Sequence, residues 1–206
     1  NRLMALNPEE FYNEITAQGV ELFTGVPDSL LKEFCLVVDD RMLREQHIIT
    51  ANEGNAVALA CGHYLAKQSI PLVYMQNSGL GNAVNPLLSL CDPDVYSIPM
   101  LLMIGWRGEP GVKDEPQHVK QGKIQIELLN TMDIPYEIIS KDSHDFKSKI
   151  SNCIEIAKDE NRPTALLIKK GTFNKYGKTV SSDEEQDMKR EEALEIILDN
   201  LDDNTI

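Results

Sequence analysis

The sequence predicts a three-layer α/β/α fold built on a six-stranded, mainly parallel sheet. Short runs rich in β-branched and apolar residues alternate with longer amphipathic runs, which favours parallel strands joined by crossover helices. Several short runs are apolar almost throughout, as in strands covered by helices on both faces. The predicted strands are 20–23, 47–51, 71–76, 99–104, 136–140 and 164–169.

Helices are predicted between these strands. Asn7 followed by Pro8 and two glutamates is typical of a helix start, and the helix is expected to run to about residue 18. Asp28 or Ser29 is expected to cap the next helix. Further helices are predicted at about 53–67, 79–91, 115–132 and 142–158.

Composition excludes several classes of protein. With 206 residues, 42% of them hydrophobic, the chain is long enough for one full core, and its net charge of −13 disfavours nucleic acid as a partner. No stretch approaches the roughly 20 apolar residues of a membrane span, and no leader pattern is visible, so we expect a soluble, cytoplasmic protein. The four cysteines and four histidines have no metal-site spacing, which predicts reduced thiols and no metal site in this chain.

The chain divides into two parts by composition. We expect a domain over 1–172 and an acidic linker and helix over 173–206. Ten acidic and two basic residues fall in 181–206, which therefore contributes −8 of the net charge. Residues 171–185 are predicted to form the linker and 191–201 a helix. An apparent strand start then follows, so we expect a second domain that was cut away or lies on another chain.

Four loops follow predicted strands at the edge of the sheet where ligands of such folds bind. They cover 24–29, 52–55, 76–82 and 105–111. In the second loop, Glu53 ends a strand and opens a helix beside small residues that admit a flat ligand. By itself such a carboxylate is typical of any helix start, where the helix dipole favours it.

The third and fourth loops add polar and basic groups. Gln76, Asn77, Ser78 and Asn82 offer amides and a hydroxyl around Gly79, suited to the edge of a polar heterocycle, although an ordinary glycine-rich turn has the same composition. Arg107 and Lys113 indicate a clamp for a phosphonate, sulfonate or carboxylate, with a solvated charged face as the alternative. Asp114, Glu115 and His118 supply titratable groups for proton transfer.

Taken together, the four loops resemble a known family. The segments 24–29, 51–56, 74–82 and 105–111, with Lys113-Asp-Glu-Pro-Gln-His118 and Gln121-Gly122, closely resemble phosphonopyruvate decarboxylases. They resemble the alpha subunits of sulfopyruvate decarboxylases less closely. The likeness spans about residues 5–205, and four motifs in order make it specific where the lone glutamate is not.

The resemblance implies the pyrimidine-binding half of a thiamine diphosphate enzyme, with active sites shared between subunits of an oligomer. Glu53 then hydrogen-bonds the aminopyrimidine ring nitrogen and activates the cofactor. By the same analogy Gln76, Asn77, Ser78, Gly79 and Asn82 line the cofactor site. Asp28 and His118 transfer protons, and Arg107 and Lys113 hold a small anionic 2-oxo acid.

One departure from the family pattern affects the expected activity. The Gly-Asp-Gly motif that binds magnesium and the diphosphate in such enzymes is absent from these 206 residues. The chain alone is therefore expected neither to hold the cofactor tightly nor to turn over, and a diphosphate-binding domain of the same or a neighbouring chain is the expected partner. The alternatives left open are a sulfopyruvate decarboxylase alpha subunit and a non-catalytic α/β module for assembly or ligand sensing.

Overall fold

Six strands form one sheet in the computed structural model of the chain, which describes residues 5–177 and 190–200. The strands are β1 (Phe23–Gly25), β2 (His47–Ile49), β3 (Leu72–Gln76), β4 (Met100–Gly105), β5 (Tyr136–Ile139) and β6 (Pro163–Ile168). Their order across the sheet is β2-β1-β3-β4-β6-β5, and every pairing is parallel. The predicted number of strands and the predicted sheet are confirmed.

The helices of the described residues fill the intervals between the strands. They are α1 (Pro8–Ala17), α2 (Lys32–Arg41), α3 (Glu53–Lys67), α4 (Leu80–Pro86), α5 (Pro116–Thr131), α6 (Phe146–Glu160) and α7 (Arg190–Asp199). A 3₁₀ turn (Asn77–Gly79) precedes α4, and a π-helical turn (Leu87–Cys91) follows it. The helix predicted at about 79–91 is therefore three segments, which periodicity alone does not separate.

Two hydrophobic cores lie on opposite faces of the sheet. One core joins α1, α2 and α6 to alternate strand residues such as Tyr74 and Met103. The other joins α3, α4 and α5 to the intervening residues, such as Val73 and Leu102. Because side chains alternate between the faces of a strand, β3, β4 and β6 must be apolar at nearly every position.

Strand β1 begins later than the sequence predicts. Val20 and Leu22 are buried but lie outside the ladder, which starts at Phe23 opposite His47. Strand β2 has only three residues, so the pairing of β1 with β2 covers three positions. Apolar character predicts burial at these positions but not where hydrogen-bond pairing begins.

The start of α2 corrects another prediction. Neither Asp28 nor Ser29 caps this helix, because its N-cap is Leu31 and no side chain bonds the helix start. Residues 29–31 instead form a turn, in which the Leu30 N–H donates to Asp28 Oδ2 at 3.0 Å. The Asp28 carboxylate thus stabilises the turn before the helix.

Contacts divide the chain into two units, 1–176 and 177–206. The first unit extends past the predicted boundary at 172, because Phe173 packs against Phe11 and Phe34 and the Tyr176 N–H donates to Glu33. Residues 178–185 of the predicted linker and the predicted strand start after residue 201 lie outside the described residues. Helix α7 forms where a helix was predicted, and a further domain beyond it stays a prediction.

The described helices include no transmembrane candidate. Among residues 5–177 and 190–200, none of them combines the length and the apolar character that crossing a bilayer requires. The four cysteines of the chain are free.

Candidate active site at the carboxyl edge of the sheet

The chain direction reverses between β1 and β3, which places a crevice beyond their carboxyl ends. From β1 the chain moves outward to β2, then returns to add β3 on the other side of β1. Ligands of open parallel sheets bind at such a switch point. The loops after β1, β2, β3 and β4 all open onto this edge, and the predicted site residues lie on them.

Glu53 is the first residue of α3 and is buried, with 8% of its surface exposed. Asn52 caps the helix by accepting a hydrogen bond from the Asn55 N–H at 3.0 Å. Because Asn52 already provides the cap, the Glu53 side chain is directed elsewhere. Its Oε2 accepts a hydrogen bond of 2.8 Å from Asn82 Nδ2. Among the described residues, no hydrogen-bond donor binds Oε1.

A missing side chain makes room for this carboxylate. A Cβ at Gly79 would lie 2.1 Å from Glu53 Oε1, and a Cβ at Gly54 would lie 2.8 Å from the Asn82 carbonyl oxygen. Glycine at position 54 therefore allows α3 to lie close to the first turn of α4, and glycine at position 79 leaves room for the Glu53 side chain. Glu53, predicted from the second loop, forms one cluster with Gly79 and Asn82 from the third.

Asn77 joins two loops of the edge. It is 1% exposed, its Nδ2 donates to the Arg107 carbonyl at 2.8 Å, and its Oδ1 accepts from the Arg107 N–H at 3.1 Å. The loop after β3 is thereby fixed to the loop after β4. Gln76 Nε2 donates to Ser78 Oγ. Much of the polar capacity predicted for ligand binding in this loop is thus already used within the protein.

Asp28 lies on the opposite face of the same edge, against β4. It is 6% exposed, and a Cβ at Gly105 would lie 2.2 Å from its Oδ2. Burial raises the pKa of the Asp28 carboxyl, against the lowering effect of the Leu30 N–H and of the Arg107 charge. Its Oδ1 is buried without a hydrogen-bond partner among the described residues. A protonated Asp28 is therefore able to donate a hydrogen bond into the edge.

Arg107 is paired within its own loop. Its Nε and Nη2 donate to the two carboxylate oxygens of Asp114 at 2.8 and 2.6 Å, and its Nη1 donates to Ser29 Oγ at 3.1 Å. Asp114 also accepts from the Gly108 and Glu115 N–H groups. The Arg107 guanidinium holds the pKa of Asp114 well below its usual range. The sequence identified both residues but not this pairing.

Lys113 and His118 lie near this loop in different environments. Lys113 is exposed, and no described side chain pairs with it. His118 is half-buried in the first turn of α5, and a Cβ at Gly108 would lie 1.9 Å from its carbonyl oxygen. Gly108 has a φ of +68°, a conformation that glycine adopts at no steric cost. The structure thus places His118 beside the Arg107 loop but leaves Lys113 at its surface.

A cavity of about 370 Å³ opens beside Asp28 and Ser29, between α2 and β2. His47 and Tyr74 line it, with His47 Nε2 and Tyr74 Oη 2.9 Å apart. Burial lowers the pKa of His47 and raises that of Tyr74. Neither residue was predicted to be a site residue, because a single His or Tyr within a predicted strand is typical of any sheet.

The described residues contain no group of three or more His, Cys, Asp or Glu side chains placed to hold a metal ion.

The polar side chains at the carboxyl edge form two clusters on opposite faces of the sheet. Glu53, Gly79 and Asn82 form one; Asp28, Ser29, Arg107 and Asp114 form the other. Asn77 connects the loops that carry them.

Comparison with known proteins places the chain in a family. Residues 9–132 match the family model described as thiamine pyrophosphate enzyme, N-terminal TPP binding domain. A phosphonopyruvate decarboxylase of Streptomyces hygroscopicus is 34% identical over 77% of this chain and 39% of its own length. A sulfopyruvate decarboxylase subunit alpha of Methanococcus maripaludis is 34% identical over 78% of this chain and 92% of its own length.

Solved structures agree on the fold. Benzoylformate decarboxylase from Polynucleobacter necessarius superposes with a TM-score of 0.61 at 18% identity, over 84% of this chain and 32% of that one. The chain belongs to the thiamine pyrophosphate enzyme family as its N-terminal TPP binding domain, which confirms the expected resemblance. It spans about two fifths of the length of the Streptomyces relative.

We predict that Gly79→Ala displaces the Glu53 carboxylate. The added methyl group overlaps Oε1 inside a packed site, which we expect to lower the free energy of unfolding by about 1–3 kcal/mol. Gly81→Ala is the matched control, because a Cβ there meets no atom within 4 Å. Urea denaturation of both variants measures the difference in their free energies of unfolding. Equal values would show that a methyl group fits at position 79 without displacing Glu53.

Proposed function

We propose that this chain is the pyrimidine-binding half of a thiamine diphosphate-dependent decarboxylase. The proposed reaction converts phosphonopyruvate to phosphonoacetaldehyde and carbon dioxide. The observation that carries the proposal is the buried Glu53 carboxylate, with one oxygen bound to Asn82 and the other without a donor. The phosphonopyruvate relative, at 34% identity, supports the choice of substrate.

The residues present fit the aminopyrimidine of the cofactor. A flat ring needs an acceptor or shared proton at a ring nitrogen and a surface without side chains in its path. Glu53 Oε1 supplies the first, and Gly54 and Gly79 add no side chain around it. Glu53 begins a helix, where the dipole favours a negative charge. We propose Gln76, Ser78 and Asn82 as polar neighbours of the ring, with Asn77 positioning their loop.

Each proposed proton role follows from the surroundings of a side chain. When bound, thiamine diphosphate supplies the nucleophilic carbon and the electron sink for loss of carbon dioxide. Glu53 shares a proton with the ring nitrogen. Burial raises the pKa of Asp28, and its buried Oδ1 has no hydrogen-bond partner among the described residues, so we propose Asp28 and His118 as the proton-transfer groups.

The proposed anion site combines Arg107 and Lys113. Three of the five N–H groups of the guanidinium are bound to Asp114 and Ser29, which leaves two for a substrate oxygen. Asp114 offsets part of the Arg107 charge and holds the guanidinium in place. Arg107 would therefore bind a substrate mainly through its positioned N–H groups. Lys113 adds an unpaired charge from the surface of the same loop. Together they suit a phosphonate or a sulfonate.

The proposal extends to a partner and a metal. We propose that a diphosphate-binding domain, on the same chain or a neighbouring one, binds magnesium and the diphosphate and closes the site at the carboxyl edge. Three of the sulfopyruvate decarboxylase relatives are named as alpha subunits, which supports a partner subunit or domain. An oligomer in the cytoplasm is the proposed working form.

A sulfopyruvate decarboxylase alpha subunit is the second candidate. The chain covers 92% of the Methanococcus maripaludis alpha subunit but 39% of the Streptomyces hygroscopicus phosphonopyruvate decarboxylase, at the same identity of 34%. Both substrates are 2-oxo acids with an anionic head, and Arg107 and Lys113 are compatible with either. A non-catalytic module is the remaining alternative, and it leaves the buried Glu53 carboxylate without a role.

Glu53→Gln in the full-length protein is expected to lower kcat by roughly 10²–10⁴-fold, because the amide is a poor partner for the shared proton. Glu10→Gln is the matched control, since Glu10 is also in the first turn of a helix but is exposed. Steady-state rates with saturating cofactor measure the effect. Unchanged turnover by the Glu53 variant would leave the non-catalytic module as the better explanation.

Phosphonopyruvate is expected to be the better substrate of the full-length or reconstituted enzyme. The measurement is kcat/KM for phosphonopyruvate and for sulfopyruvate, with aldehyde formation followed in both cases. A higher value for sulfopyruvate would reject the proposed substrate while leaving the cofactor assignment in place.

Lys113→Ala is expected to raise KM for the anionic substrate by about tenfold with little change in kcat, because a lost ion pair weakens ground and transition state alike. High salt is expected to reduce the difference between the variant and the parent enzyme. Lys147→Ala on α6 is the control, since Lys147 is also exposed but lies in a different helix. Equal KM values for both variants would remove Lys113 from the substrate site.

A further inference from the structure

Two buried thiols contact each other away from the candidate active site. Cys61 lies in α3 and Cys91 ends the π-helical turn after α4. Their Sγ atoms are 3.5 Å apart, and the side chains are 5% and 0% exposed. No step of the proposed reaction uses either residue.

The segments that carry these two cysteines run side by side. Glu53 pairs with Asn82 and Cys61 pairs with Cys91, so both contacts join α3 to the stretch formed by α4 and the π-helical turn. Cys91 is the last residue of that π-helical turn.

The two thiols differ in their surroundings. The hydrogen bond with Cys91 lowers the pKa of Cys61, while the same contact and burial raise the pKa of Cys91. Burial raises the pKa of Cys35 and of Cys153 to about 12, and among the described residues neither has a second cysteine as a hydrogen-bond partner. Cys61, which is 5% exposed against 0% for Cys91, is the more accessible member of the pair, and Cys91 lies in contact with it, placed to resolve it.

We propose that Cys61 and Cys91 form a redox-active dithiol that hydrogen peroxide converts to a disulfide. The Cys61 thiolate attacks one peroxide oxygen and becomes a sulfenic acid, and the other oxygen leaves and is protonated to water. The Cys91 sulfur then attacks the Cys61 sulfur, and the hydroxyl group leaves as a second water. Two thiols and one peroxide give one disulfide and two waters, so the sulfurs are oxidised and the peroxide is reduced.

The disulfide joins α3 to the segment that follows α4. A bond requires the sulfurs to approach from 3.5 Å to about 2.05 Å, which draws the two elements together. Cys61 lies about two helical turns from Glu53, and Cys91 is a similar distance along the chain from Asn82. The cross-link therefore fixes α3 to the segment that continues from α4, and the first turns of these two helices carry the Glu53–Asn82 hydrogen bond.

The test oxidises the reduced full-length protein with increasing hydrogen peroxide, followed by denaturation, alkylation and peptide mass spectrometry. We expect a Cys61–Cys91 cross-linked peptide that dithiothreitol removes. The oxidised protein is expected to melt roughly 4–10 °C higher than the reduced protein, since the cross-link closes a long loop. Mapping the wild type requires no substitution, so the result does not depend on the folding of a variant.

Single substitutions distinguish the effect of Cys61 and Cys91 from that of the other cysteines. Cys61→Ala and Cys91→Ala are expected to give no cross-link and no peroxide-dependent change in Tm, whereas Cys153→Ala, also buried, is expected to behave as the wild type. Oxidation of Cys61 to sulfinic acid without a cross-link would overturn the proposal. So would a cross-linked protein whose Tm is unchanged or lower. Neither outcome depends on the activity of the enzyme or on its substrate.

Discussion

The close contact between the Glu53 carboxylate and the glycine at position 79 is the constraint on which the rest of the site depends. Gly79 leaves room for the Glu53 side chain, and Gly54 lets the helix that begins at Glu53 lie close to Asn82 in α4. Asn82 then bonds one carboxylate oxygen and holds it in place. Glu53 is thus a largely buried carboxylate with one oxygen held by Asn82 and, among the described residues, no donor on the other, which is why we connect it to function.

The two faces of the sheet edge supply different chemistry. On the α3 side lies the Glu53 carboxylate, and on the α2 side lies Asp28, whose pKa burial raises. The Arg107–Asp114 pair is close enough to Asp28 that the Arg107 charge opposes this shift. Acidic groups with different surroundings at one edge are suited to different proton roles. Asn77 is buried between the loops after β3 and β4, and its hydrogen bonds to the Arg107 backbone hold these two loops together.

Several features followed from the sequence because they depend on local chemistry. Continuous apolar runs predicted β3, β4 and β6, and Glu53 with its small neighbours predicted a helix start at a ligand edge. The cap predicted at Asp28 was wrong because Asp28 bonds the turn before α2. The pairing of Arg107 with Asp114 was not predicted, because the sequence does not show which of several nearby acids, or which ligand, the guanidinium binds.

The sequence by itself determined the fold class, and it predicted the sheet edge and the charged residues there that we propose as the ligand site. These properties depend on periodicity, glycine placement and side-chain chemistry, all of which are local. The tertiary structure decided which groups meet: Glu53 with Asn82, Arg107 with Ser29 and Asp114, and Cys61 with Cys91. Such pairings depend on strand order and on how helices separated by tens of residues in the sequence pack against each other.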